Sequence, residues 1–220
     1  MNTVNYHNEL LKIIDKVEET AEREHKPAKL LLHSCCAPCS SYCLELLCSH
    51  FETTVFYYNP NITDAYEYLL RMEEQKRLIA CFNAERRGYH IHIKEGDYNP
   101  LTFLKMCNGY EKCPEGGDRC FKCYRLRLEK TAATAKKEGF DYFGTTLTIS
   151  PLKNAAKINE IGSELAAEYK VNWLYSDFKK NEGFKRSIEL SKEYNLYRQN
   201  FCGCIYSQNK ESKNDNGGTE

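Results

Sequence analysis

Three short clusters hold most of the chain's twelve cysteines, and their spacing is its strongest chemical signal. Cys35-Cys36-Ala37-Pro38-Cys39 interrupts an apolar run, Leu30-Leu31-Leu32. Arg119-Cys120-Phe121-Lys122-Cys123-Tyr124 contains a C-x2-C pair, and Phe201-Cys202-Gly203-Cys204 carries two thiols one residue apart. Thiols that act together must meet in space, so the fold has to gather three distant segments on one rim.

Iron–sulfur clusters and zinc both take four thiolates, commonly offered as C-x2-C pairs. Cys120 and Cys123 have that spacing and stand before a helix, where a thiol ionises more easily. The adjacent Cys35 and Cys36 suit an iron–sulfur cluster better than one zinc, because sulfide separates the irons that vicinal thiolates would serve. Buried structural thiols are the plain alternative. Closing Cys202 on Cys204 makes a small strained ring, and strained disulfides belong to the labile, catalytic class. Gly203 permits the backbone angles required, while two ordinary ligands or surface thiols remain open. Cys39 is a spare ligand or binds a second metal. Cys43, Cys48 and Cys81 read as small buried helix residues, and Cys107 and Cys113 as non-ligands. His90 and His92 share a strand face and read as packing. His33 precedes the cysteine turn and is expected to hydrogen-bond locally.

At 220 residues, with 41% hydrophobic and 28% charged residues, the chain fits one soluble domain with a substantial core. No run approaches the ~20 apolar residues of a transmembrane helix, and the first residues lack secretory signal regions. We therefore expect a cytoplasmic protein without a membrane partner. In that reducing compartment, clustered cysteines read as metal ligands or redox centres. The 31 basic residues balance the 31 acidic ones, which argues against a basic nucleic-acid coat while allowing a local patch.

Leu10, Ile13, Ile14, Val17 and Ala21 recur at helical spacing, so residues 1–28 are expected to form an N-terminal helical segment. A buried strand at 29–33 leads into the first cysteine turn, with a helix at 42–48. Strands are expected near 53–58, 89–94, 141–149 and 171–175. Helices are expected at 64–87 (Ala65, Leu69, Met72, Ile79 and Phe82 on one face), 100–106, 155–169 and 184–194. Another runs from Tyr124 to near Gly139, after a turn-rich loop through 108–119, and 197–204 is irregular. Residues 29–206 thus form one catalytic α/β domain, and 207–220 read as a disordered tail. About five strands alternating with helices predict a doubly wound, mainly parallel sheet with helices on both faces. Its ligands should sit outside the carboxyl ends of the strands, where the cysteine-bearing loops lie.

The segments His33-Ser34-Cys35-Cys36-Ala37-Pro38-Cys39, Phe56-Tyr57-Tyr58-Asn59-Pro60-Asn61-Ile62, Arg119-Cys120-Phe121-Lys122-Cys123-Tyr124 and Tyr197-Arg198-Gln199-Asn200-Phe201-Cys202-Gly203-Cys204 together resemble the QueH family of epoxyqueuosine reductases. Thr145-Thr146-Leu147-Thr148-Ile149-Ser150-Pro151 and Asp177-Phe178-Lys179-Lys180 fit the same pattern. The resemblance implies a fold related to adenine-nucleotide alpha hydrolases and reduction of epoxyqueuosine to queuosine at the tRNA wobble position. It implies a [4Fe-4S] cluster on Cys35, Cys36, Cys120 and Cys123, a redox-active pair at Cys202 and Cys204, and an additional iron bound partly through a carboxylate. Candidates for that carboxylate are Asp177, Asp118 and Asp97, and Cys39 is a candidate ligand of the same iron. Lys179, Lys180, Lys185 and Arg186 are the basic group expected to meet RNA, with a solvated helix face as the alternative. An electron donor is required. Two rival readings are a zinc-stabilised nucleic-acid-binding module and a thiol–disulfide oxidoreductase using Cys202 and Cys204 alone.

Overall fold

The computed structural model describes residues 4–208. Five strands, β1 (Ala28–His33), β2 (Phe51–Tyr57), β3 (His92–Glu95), β4 (Tyr142–Thr145) and β5 (Asn172–Trp173), form one sheet in the order β3-β2-β1-β4-β5. Every pairing is parallel. The chain builds outward from β1 to β3 on one side and then returns to β1's other edge for β4, so the switch point lies between β1 and β4. The helices are α1 (Tyr6–Glu24), α2 (Ala37–Leu47), α3 (Ala65–Ala84), α4 (Pro100–Met106), α5 (Asp118–Glu138), α6 (Ala155–Tyr169), α7 (Gly183–Glu193) and the short α8 (Ile205–Gln208). The disordered tail expected at 207–220 otherwise lies outside the described residues. No described helix is long and apolar enough to cross a membrane.

Alternation along the strands decides which helices cover which face. Leu30, Leu32 and Val55 pack into a core with Leu10, Ile14 and Val17 of α1, Leu44 of α2 and Phe82 of α3. Leu31, Phe56 and Phe143 point the other way, onto Leu128 and Ala132 of α5 and Ile158 and Leu165 of α6. Both faces of β1 are therefore dry, as a central parallel strand requires. The N-terminal helix contributes three side chains to the first of these cores rather than standing apart.

Several element boundaries depart from the periodicity for identifiable reasons. Helix α2 starts at Ala37, well before the expected residue 42, because Pro38 is suited to the first helical turn. Helix α5 starts at Asp118, so Cys120 and Cys123 lie within its first two turns. Strand β4 ends at Thr145, whose hydroxyl accepts the Leu147 N–H and turns residues Thr146–Ile149 into a 3-10 helix. Strand β3 starts late because both main-chain groups of Ile91 are taken by the Asn83 amide. On α3, Ala65 and Leu69 face solvent; the buried face also carries polar Glu67, Arg71 and Gln75.

Gly162 of α6 lies flat against Trp173, whose indole N–H donates to Asn159 Oδ1 at 3.0 Å. A Cβ at position 162 would overlap the indole ring. Gly162→Ala should therefore destabilise by about 1–3 kcal/mol through overpacking, although Gly→Ala in an open helix stabilises by about 1 kcal/mol. Denaturant midpoints of the two proteins check the sign.

Candidate functional site

The chain leaving β1 is fixed before it reaches the cysteines. The Ser34 N–H donates to Phe56 O at 3.0 Å, and the Asn59 amide donates to Ser34 O at 2.8 Å. The Ser34 and Ser40 hydroxyls both donate to Gln75 Oε1, at 2.8 and 2.9 Å. His33 is fully buried and its pKa is lowered to about 3, chiefly by that burial. Its Nε2–H donates to Tyr58 O, which can only accept, so Nδ1 accepts from the Thr145 hydroxyl. His33 is thus a neutral strut between β1, the end of β2 and β4, bonded to residues distant in sequence and not to the local partners expected of it.

From this anchored start, Cys35 and Cys36 place their Sγ atoms 3.8 Å apart. Cys39, in the first turn of α2, completes a triad whose sulfurs all lie within 4.8 Å of one another. Two thiolates on one tetrahedral metal with ~2.3 Å bonds would lie ~3.8 Å apart, so the triad has the spacing of ligands to a metal ion. Hydrogen bonds from Cys36 and then Cys39 hold the Cys35 thiol well below its ordinary pKa, with help from Lys153 and Arg127. Burial pushes Cys36 up to about 12. One thiolate, on Cys35, is thus shared among three sulfurs.

The second segment enters from α5. Cys120 Sγ accepts the Gly116 N–H at 3.3 Å, and Cys123 is buried, its thiol pushed up to about 12 by desolvation. One turn further along α5, Arg127 donates from Nε to Cys123 O at 3.2 Å.

The third segment is clamped by α3. Arg71, 1% exposed, pairs through Nε with Glu67 at 2.6 Å and donates to the main-chain carbonyls of Cys202 (3.3 Å) and Phe201 (3.2 Å). Its guanidinium also lies over the Phe201 ring. Gly203 adopts φ +101°, and a side chain there would run into Ile62. On the same loop, Gln199 donates from Nε2 to Cys36 Sγ at 2.8 Å. All twelve cysteines are free thiols, Cys202 and Cys204 among them. The Cys204 thiol's hydrogen bond, with the charges of Lys153 and Arg127, lowers Cys202 to about 6, while the same bond drives Cys204 upward.

The three segments border one cavity of about 340 Å³ at the carboxyl edge of the sheet. Cys35, Cys39, Cys120, Cys123, Cys202 and Cys204 all line it, and Cys36 lies just behind, 1% exposed. The cavity wall also carries polar groups with no partner: both amide atoms of Asn61, Gln199 Oε1 and one Arg127 terminal nitrogen. Buried polar atoms are almost always satisfied, so this wall is built to meet a ligand. Sequence spacing missed Arg71, Arg127 and Lys153. Arg127 stands four residues after Cys123 and seven after Cys120, a helical period that could have revealed it.

Other expected site residues are placed elsewhere. Asp177 is ion-paired with Lys179 at 2.6 Å, Asp97 lies beside Lys130, and exposed Asp118 borders a separate surface groove. None of the three lines the cavity, where Glu115 is the one acidic residue among those that do. The basic group is largely neutralised: Lys179 by Asp177, Lys185 by Glu182, and Arg186 by Glu45 at 2.6 Å. Lys180 and these three also stand apart from the cavity wall. Local charge pairing, invisible to a count of lysines, removes most of the field this group would project.

In reduced, metal-free protein, alkylation of Cys202 should rise about tenfold per pH unit and level off above about 6, where its thiolate predominates. Cys123, whose thiol is held up to about 12, should label slowly throughout. Mass mapping of alkylated peptides at several pH values checks both.

Residues 30–210 match the family model described as "Epoxyqueuosine reductase QueH". A protein of that name from Staphylococcus epidermidis is 44% identical over 94% of this chain and 86% of its own length. One from Streptococcus pyogenes is 42% identical over 89% of this chain and 76% of its own length. One from Thermotoga maritima is 34% identical over 81% of this chain and 89% of its own length. Matches of that extent, over a sheet edge where three thiol segments converge, show that the chain belongs to the QueH family of epoxyqueuosine reductases.

Proposed function

We propose that this protein is an epoxyqueuosine reductase, an oxidoreductase that removes the epoxide oxygen of epoxyqueuosine in tRNA to give queuosine. The observation that carries this reading is the convergence of cysteines from three segments on one cavity whose wall also presents unpaired polar atoms. We read residues 29–206 as the catalytic unit, acting in the cytoplasm where its tRNA substrate is found.

The donor set suits iron: thiol sulfurs from two helix starts border one cavity, and Cys35 ionises readily. Cys35, Cys36, Cys120 and Cys123 would hold a [4Fe-4S] cluster, with Cys39 available to an additional iron. When bound, such a centre supplies electrons singly, and a mononuclear iron supplies a Lewis acid for oxygen. With Asp177, Asp118 and Asp97 off the cavity wall, Glu115 is the carboxylate better placed to assist.

Removing the epoxide oxygen as water consumes two electrons and two protons. The Cys202–Cys204 dithiol releases that number when it closes to a disulfide, and an external reductant, whose identity is open, must then reopen it. A thiolate at Cys202 beside a protonated Cys204 is the arrangement that such chemistry starts from. Lys153 and Arg127 keep that thiolate charged, and Phe103 and Tyr124 help exclude water from the cavity.

Entry of the modified base requires it to be splayed out of the anticodon loop into a pocket. Arg198 and Leu152 are exposed at the rim, and Asn61 presents a free donor and acceptor inside. These residues are better placed for the nucleotide than Lys179, Lys180, Lys185 and Arg186, which would serve phosphates further along the RNA if their carboxylate partners yield.

The deciding experiment is anaerobic incubation of the iron-reconstituted protein with epoxyqueuosine-bearing tRNA and a chemical reductant. Mass analysis of the nucleosides should show loss of one oxygen; an unchanged nucleoside would refute the activity. Visible absorption from thiolate-bound iron, which zinc lacks, separates this reading from a zinc-stabilised RNA-binding module. Cys202→Ser and Cys204→Ser should each keep that absorption and lower kcat by roughly 10²-fold or more. Turnover equal to the parent would remove the dithiol from the mechanism.

A further inference from the structure

The cavity contains more buried positive charge than its carboxylates can balance. Arg127 is 1% exposed, bonds to the protein through the Cys123 carbonyl, and leaves one terminal nitrogen without a partner. Lys153 is half-buried and lines the same cavity, on the loop that follows the 3-10 helix. Among the described residues neither forms an ion pair with a carboxylate; the main favourable influences are cysteine sulfurs, with Tyr124 beside Arg127, while Arg127 opposes the charge on Lys153. A cation taken out of water without a counter-charge is strongly destabilising, so the cavity has to supply negative charge to both.

We propose that Arg127 and Lys153 are the built-in counter-charges of the metal centre and set its reduction potential, making it easier to reduce than the same thiolates would in a neutral pocket. This rests on the iron–sulfur reading given above. The sulfurs closest in effect to Arg127 are Cys123, Cys202 and Cys35, and those for Lys153 are Cys202, Cys35 and Cys39. Burial works against both charges and the neighbouring sulfurs, once ionised or bound to metal, work for them. The two cations therefore address all three thiol segments at once. A four-thiolate iron–sulfur centre is already anionic and gains another negative charge on reduction. Fixed positive charge stabilises the reduced form more than the oxidised one, which raises the potential, since net charge and hydrogen bonds to sulfur are among its determinants. Gln199, donating to Cys36 Sγ, acts in the same direction. An arginine in this position contributes a charge that does not titrate away, so the effect persists across the working pH range.

The test uses the full-length protein, reconstituted anaerobically with iron and sulfide, and reads the midpoint potential of the centre by dye-mediated titration with visible and EPR detection. Iron and sulfide are quantified in each variant. Arg127→Met and Lys153→Met should load iron as the parent does and shift the midpoint to more negative values. Arg127→Lys and Lys153→Arg should restore most of the shift. If Arg127→Met fails to fold or load, Lys153→Met decides alone, since its side chain lies on a loop and holds no helix together. A midpoint that is unmoved or more positive in fully loaded Lys153→Met overturns the inference while leaving the iron–sulfur reading intact. Weakened tRNA binding with an unmoved midpoint would assign the cations to the substrate and overturn it as well. Absence of iron–sulfur absorption in the parent protein would remove the metal reading and this inference with it.

Discussion

Glu67, Arg71 and Gln75 follow one another at four-residue spacing along α3 and are all buried. That polar row is the interaction on which the site depends. Gln75 takes the two serine hydroxyls that frame the first thiol segment, and Arg71 takes two carbonyls of the last one. Glu67 in turn holds Arg71 and accepts from the Tyr197 hydroxyl at 3.0 Å. Buried polar groups are costly unless paired, so a helix carrying three of them constrains its neighbours, although Gln75 Nε2 itself has no partner. The parallel sheet supplies the other half of the constraint. Because all strands point the same way, the chain leaving β1, the turn after β4 and the C-terminal loop come together at a single edge.

Much of this fold was legible in the sequence because it is encoded locally. Pro100–Met106 and Ala155–Tyr169 fall where their periodicity places them, and the apolar run at β1 is a central strand buried on both sides. The boundaries that moved did so where a side chain competes with the main chain, as Thr145 does at the end of β4 and Asn83 does before β3. The cysteine segments could be chosen from spacing alone, since thiols with a common task leave a compositional trace. Arg71 and Lys153 leave none, and Arg127 only its helical spacing from Cys120 and Cys123: their significance comes from partners more than a hundred residues away or from a charge balance that only the folded cavity defines. Asp177, Lys179, Lys185 and Arg186 look available in sequence, yet the first three find an opposite charge within three residues and Arg186 finds Glu45 once α2 and α7 pack together.

The unpaired amide of Asn61 shows how the cavity differs from ordinary interior. A buried side-chain amide without partners costs roughly 1–3 kcal/mol for each group left unmet, and Asn61 leaves both its donor and its acceptor open at 1% exposure. Such a group is retained when a ligand completes it. One donor beside one acceptor matches a hydroxyl or the edge of a heterocycle, both of which epoxyqueuosine carries, and it would orient the substrate before any electron moves.

Arg71 grips the C-terminal loop through the peptide carbonyls of Phe201 and Cys202 and through the Phe201 ring, not through the sulfurs. Peptide oxygens keep the same lone pairs whether Cys202 and Cys204 are two thiols or one disulfide. The carbonyl part of the anchor is therefore blind to the oxidation state of Cys202 and Cys204. The anchor as a whole is not blind to position 201, where an aromatic ring meets the face of the guanidinium, so the side chain there is held to the same purpose as the sulfurs beside it.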